Sequence, residues 1–119
     1  MKRVKHDLLT NKYTEVWHEE DREIQFNAPH HFQVRPSDRL DILSVVDFQK
    51  GPIKENGVNG VCNEDLIAMV ICRLEHFQKS EFSSRDNAMA ITKLEEALLW
   101  LRKRTLGREQ RGVEGTSVK

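Results

Sequence analysis

The chain has 119 residues, and its 19 Lys and Arg are balanced by 19 Asp and Glu. No global field therefore draws it onto DNA or an anionic membrane, and any anion recognition must come from a local cluster. The mean hydropathy is −0.63, and no apolar run approaches the roughly 18 residues that a membrane-spanning helix requires. The basic start, "MKRVKHDLLTNKYTEVWHEEDRE", has no continuous apolar core, which argues against a signal peptide. Cys62 and Cys72 stand ten residues apart without a CxxC pattern, as expected of reduced, mostly buried thiols in a cytosolic protein.

Residues 1 to about 50 read as extended. "YTEVWH", "EIQFN", "HFQV" and "DILSVVDF" are rich in β-branched and aromatic residues, and charged or turn-forming segments separate them. Ile24 and Phe26 alternate with Glu23 and Gln25, as on a half-buried strand. "QKGPIKENGVNGV" is then the main break in the chain. Its glycines match neither GxGxxG nor a P-loop, so they read as turn geometry.

A first helix is expected from "NEDL", with Asn63 as N-cap and Glu64 and Asp65 at the positive end of its dipole. Leu66, Val70, Arg73 and Phe77 line up at helical spacing, with Ile67 and Leu74 beside them. Ser83 and Asp86 suggest a capping box for a second helix running to about Glu109. The fold class that follows is α+β: a small N-terminal antiparallel β-sheet, then a C-terminal antiparallel two-helix hairpin. We read residues 1–119 as a single domain, with sheet and connector over 1–60, the hairpin over 61–111 and a loose tail over 112–119.

On the second helix Asn87, Ile91, Leu94, Leu98, Leu101 and Thr105 form one stripe, and Ala90 and Ala97 widen one flank. Arg104 and Arg108 share that flank, where a merely solubilising charge is not expected. The bland alternatives are plain: arginines complementing the negative end of the dipole, Asn87 as capping chemistry, and Phe77 as core. In combination the residues say more. Phe77 and Asn87 both lie at the loop end of the hairpin, while Arg104 stands 17 residues beyond Asn87, roughly 25 Å along the helix. Two hairpins packed antiparallel in a two-fold dimer would bring the halves together. Each pocket would then offer an aromatic face, an amide matching adenine's donor–acceptor edge and two guanidinium groups for phosphate.

The strings "NGVNGVCNEDLIAMVICRLEHFQ" and "SRDNAMAITKLEEALLWLRKRTLGREQRGVEGT" resemble the phage Thoeris anti-defence one family, whose hairpin is shared with the anti-CBASS two proteins. The resemblance covers residues 48 to 116, with looser similarity in the N-terminal strands. It implies a signal-sequestering protein and not an enzyme, one that acts in the cytoplasm of the infected bacterium. Such proteins hold cyclic nucleotide signals, notably glyco-cyclic ADP-ribose made by Thoeris TIR proteins, and release them unchanged. They need no cofactor or metal. They form homodimers with two signal sites at the interface, and in some members a hexamer, a trimer of dimers with separate sites for cyclic oligonucleotides. By motif, Asn87 would recognise the base, Phe77 would stack on it, and Arg104 and Arg108 would grip phosphates from the partner chain. Arg73 is a candidate for an additional oligonucleotide site.

Two other classes compete. A nucleic-acid-binding or phage structural protein would use Arg102, Lys103, Arg104, Arg108 and Arg111 as a phosphate patch; the zero net charge counts against it. A hydrolase could be built on His18, Asp21, His30 and His31, but they show no HxxxH or HExxH spacing.

Overall fold

In the computed structural model, which describes residues 1–119, the β-branched and aromatic runs form four short strands: β1 (Lys2–Arg3), β2 (Thr14–His18), β3 (His31–Pro36) and β4 (Ser44–Asp47). They make one sheet in the order β1-β2-β3-β4, antiparallel throughout. The register pairs Val16 with Val34, His18 with Phe32, and Phe32 with Val46. Strand alternation therefore gathers Val16, Phe32, Val34 and Val46 on one face. Phe48 meets the Phe32 ring edge-on, with centroids 5.5 Å apart. The opposite face is polar. There Arg3 pairs with Glu15 at 2.8 Å, Arg35 lies 4.9 Å over the Trp17 ring, and His31 meets Asp47 at 2.6 Å.

"EIQFN" is not a strand. Asp21–Glu23 form a 3-10 turn, and Gln25 and Ala28 bridge across a reversal in which Phe26 and Asn27 have φ of 53° and 71°. Left-handed conformations at two successive residues turn the chain back on itself, so local reversal wins over alternation. Glu19 fixes this corner. It is only 8% exposed, and its Oε1 accepts the backbone N–H groups of His30 and His31 at 3.1 and 3.3 Å. A buried carboxylate is tolerated because those donors replace lost water. At the exposed corner beside it, Lys2 donates to Asp21 at 2.7 Å. That hydrogen bond raises the pKa of the amine and lowers that of the carboxyl.

The glycine-rich connector contains a single helical turn, α1 (Ile53–Asn56), after Pro52. Its turns are clasped by side chains: Gln49 Nε2 donates to the Gly57 carbonyl at 2.8 Å, and Asn59 Oδ1 accepts from the Lys50 N–H at 2.7 Å. Gly60 lies against the backbone of Phe48, where an added Cβ would come within 2.4 Å of the Phe48 carbonyl carbon. That closeness allows Val61 to bridge Phe48.

The chain divides into two compact units, Met1–Val61 and Cys62–Lys119. The second is the helical hairpin, α2 (Asn63–Gln78) and α3 (Arg85–Gln110). Both starts differ by one residue from expectation. Cys62, not Asn63, is the N-cap of α2, because Asp65 reaches back and accepts the Cys62 N–H at 2.8 Å. Ser84, not Ser83, caps α3 by accepting the Asn87 N–H at 3.0 Å. The cysteines are free but not buried in the way their composition suggests: Cys62 is half-buried and Cys72 exposed. Partial burial raises the pKa of the Cys62 thiol, and Asp65 and Glu64 add to that effect.

The α3 stripe holds as read, since Asn87, Ile91, Leu94, Leu98, Leu101 and Thr105 are its half-buried positions together with Ala97, Gly107 and Arg108. On α2 the half-buried positions are Leu66, Ile67, Ile71, Leu74 and Gln78, whereas Val70, Arg73 and Phe77 are exposed. The apolar face of α2 is broad, and its Ile67–Ile71–Leu74 flank, not the Val70–Phe77 flank, is the more enclosed. Only Glu19, His30 and Pro36 are buried, and no Ala, Val, Leu, Ile, Met, Phe, Tyr or Trp side chain is.

Two glycines should respond oppositely to the same change. Gly107→Ala, in a helix with open space at its Cβ position, is expected to stabilise by about 0.5–1 kcal/mol. Gly60→Ala, which drives a methyl group into the Phe48 backbone, should destabilise by about 1–3 kcal/mol. Urea unfolding midpoints of the two variants check both signs.

Candidate functional site

The loop end of the hairpin is built by hydrogen bonds across the turn. Gln78 Nε2 donates to the Ser84 carbonyl at 2.9 Å, and the Ser84 N–H returns a bond to Gln78 Oε1 at 2.9 Å. This clasp joins the last residue of α2 to the N-cap of α3. It thereby fixes Asn87, whose N–H is held by Ser84 Oγ. The capping uses the backbone of Asn87 and leaves its side-chain amide without a hydrogen bond in the chain. An amide with a free donor and a free acceptor can read an adenine edge.

At the same end of the hairpin, Phe77 is 37% exposed, with the Arg73 guanidinium 5.3 Å from its ring centroid. Both line a cavity of about 490 Å³ together with His76, Ser80 and Phe82. His76 Nδ1 lies 2.8 Å from the Cys72 carbonyl, so that nitrogen carries the proton and Nε2 is left as an acceptor in the neutral ring. The sequence reading named Arg73 and Phe77 but missed His76, Ser80 and Phe82. An aromatic residue inside the otherwise polar connector "KSEFSS" was the available signal.

At the far end of α3, Arg104 is exposed and makes no hydrogen bond or ion pair within the chain. Its basic neighbours are engaged. Arg102 pairs with Glu109 at 3.3 Å, and Lys103 lies 4.8 Å from the Trp100 ring centroid. Arg111 bonds the Lys119 carbonyl. Arg108 is half-buried, and its Nη2 donates to the carbonyls of Val113, Thr116 and Val118 at 3.0, 3.0 and 2.8 Å. Residues 112–118 thus wrap the end of α3 around this guanidinium, with Gly112 and Gly115 at φ of 72° and 74°. Because α3 is one uninterrupted helix, Asn87 and Arg104 stay roughly 25 Å apart. The hairpin brings Arg73, Phe77 and Asn87 to one end and Arg104 and Arg108 to the other.

The Acb2/Tad1 hairpin domain matches residues 41–106, more than half of the chain. The chain belongs to that family. It is also 52% identical, over the full length of both chains, to Thoeris anti-defense 1 of Bacillus phage SBSphiJ7.

The residues invoked for a hydrolase are individually committed. His18 Nδ1 lies 2.6 Å from the Glu19 carbonyl, His30 Nε2 lies 2.7 Å from the Gln25 carbonyl, His31 pairs with Asp47, and Asp21 with Lys2. No three His, Cys, Asp or Glu side chains group as a metal site, and no helix is long and apolar enough to cross a membrane.

The two arginines should separate in a structural assay. Arg108→Ala removes the donor held by three tail carbonyls, so amides of residues 113–118 should exchange faster with deuterium. Arg104→Ala should leave the same amides unchanged, because Arg104 has no partner to lose. Equal protection in both variants would contradict the tail contacts.

Proposed function

We propose that the chain binds cyclic nucleotide immune signals, above all glyco-cyclic ADP-ribose, and sequesters them without chemical change inside the infected bacterial cell. The likeness to a relative named Thoeris anti-defense 1 supports this, as does the division of suitable ligand groups along the hairpin. The observation that carries it is the contrast at the two ends of α3. A free amide and a phenyl ring in contact with an arginine stand at one end, and an unpaired guanidinium stands about 25 Å away at the other. One small ligand cannot span that distance within a chain.

A homodimer resolves it. In an antiparallel pair of hairpins, Phe77 and Asn87 of one copy would face Arg104 and Arg108 of the other, giving two equivalent pockets. The exposed apolar surface supports such pairing: Met69, Val70 and Phe77 on α2 and Leu99 and Trp100 on α3 are all exposed. A trimer of dimers is the further assembly that this reading allows, and Arg73 would serve an additional oligonucleotide site there. The function needs no catalytic group. It needs affinity: a competitor of an effector at nanomolar signal requires about −12 kcal/mol. Enclosure between two copies strengthens guanidinium–phosphate bonds by removing water.

The phosphate-patch alternative is weakened by the engagement of its own members. Arg102, Lys103, Arg108 and Arg111 all have partners inside the chain, which leaves Arg104 alone.

Asn87→Ala and Arg104→Ala should each weaken glyco-cyclic ADP-ribose binding roughly tenfold or more, with the sedimentation coefficient of the dimer unchanged. Calorimetric titration reads the affinity. Mass spectrometry of ligand recovered after heat denaturation should return the intact molecule. A hydrolysed fragment, or wild-type affinity in both variants, would sink this reading.

A further inference from the structure

The α2–α3 loop presents Phe82 with an exposure of 66%, and no ring or cation of the chain stacks on it. A freely exposed phenyl ring on a floppy connector would carry little meaning, but this connector is braced. Ser80 Oγ donates to the Phe77 carbonyl at 2.6 Å and accepts the Phe82 N–H at 3.1 Å, and the Ser83 N–H donates to the Ser80 carbonyl at 3.3 Å. The Gln78–Ser84 clasp closes the base of the same loop. The backbone is thus held so that an apolar ring stays in water, an arrangement that favours a partner for that ring.

Phe82 borders the same cavity as Phe77, and the two rings do not pack on each other. The opening, about 490 Å³, lies in the range of small-ligand sites, roughly 300–1,000 Å³. Phe77 carries the Arg73 guanidinium 5.3 Å from its ring centroid, and Arg73 lines the same opening, so a cation stands beside the two rings. Two phenyl rings bordering one open depression suit a flat, polarisable guest, and a nucleobase offers two π-faces of that kind.

We propose that Phe82 is a second stacking wall, so that the base of the bound nucleotide is held between Phe82 and Phe77, with Arg73 at the same opening. This rests on the sequestration reading and adds to it a residue that sets affinity for the base. The predicted pattern is specific to stacking. Phe82→Ala should weaken glyco-cyclic ADP-ribose binding roughly tenfold or more. Phe82→Leu keeps apolar bulk but has no π-face, so it should weaken binding nearly as much, while Phe82→Trp should match or exceed wild type. Helix content and melting temperature should be unchanged in all three, because the side chain is mostly exposed.

Isothermal titration of wild-type protein and the three variants, with glyco-cyclic ADP-ribose and with ADP as a second adenine probe, decides the matter. Rescue by Leu would mean that Phe82 only fills space, and unchanged affinity in Phe82→Ala would mean that it does not touch the base. Either result overturns the clamp while leaving sequestration intact. Wild-type protein that takes neither probe overturns the clamp together with the reading beneath it.

Discussion

The continuity of α3 is the constraint on which the rest depends. Helices break at proline, at a run of poor formers or where a side chain displaces the backbone ladder, and Arg85–Gln110 meets none of these. Its one internal glycine, Gly107, comes after Arg104. A rigid rod therefore separates the amide at its start from the guanidinium groups at its end. Had the helix broken near Leu98, a single chain could have folded Arg104 back toward Asn87. The unbroken helix is why the proposed pocket calls on a second copy.

Packing leads to the same place. Hydrophobic burial is the main favourable term in folding, yet no Val, Leu, Ile, Met, Phe, Tyr or Trp side chain in this chain is buried. What each unit does have is polar bracing: Glu19 under the β3 entry, Gln49 and Asn59 in the connector, Gln78 and Ser84 across the hairpin turn. Hydrogen bonds of this kind hold local geometry well but contribute only about 1 kcal/mol each. They shape local geometry more readily than they stabilise a whole chain, and the flanks of α2 and α3 keep apolar side chains in water.

How much could be read in advance follows from which physical signals are local. The α3 stripe was legible because its period of 3.6 is sustained from Asn87 to Thr105, and β2, β3 and β4 because β-branched residues cluster between turn signals. "EIQFN" misled because its alternation spans only a few residues, while the reversal at Phe26 and Asn27 depends on backbone conformations that composition does not announce. The α2 flank misled for another reason. Apolar residues lie on both flanks, so one sequence cannot say which is enclosed within the chain and which awaits another surface. Phe82 was overlooked because an isolated aromatic in a polar loop has no periodicity at all; only the bracing of its backbone gives it significance.

Arg104 and Arg108 looked equivalent in the sequence, and their surroundings make them different. A guanidinium meets two oxygens at once through Nη1 with Nη2, or through Nε with Nη2, so both forks require Nη2. In Arg108 that nitrogen is taken by three tail carbonyls, which leaves single N–H contacts for any phosphate that arrives while the tail stays in place. Arg104 retains both forks and holds no internal partner. Arg104 is therefore the arginine free to make a bidentate contact with an oxyanion as the chain stands. Arg108 can match it only by exchanging backbone carbonyls for phosphate oxygens, a trade of neutral acceptors for charged ones that favours the ligand once water is excluded.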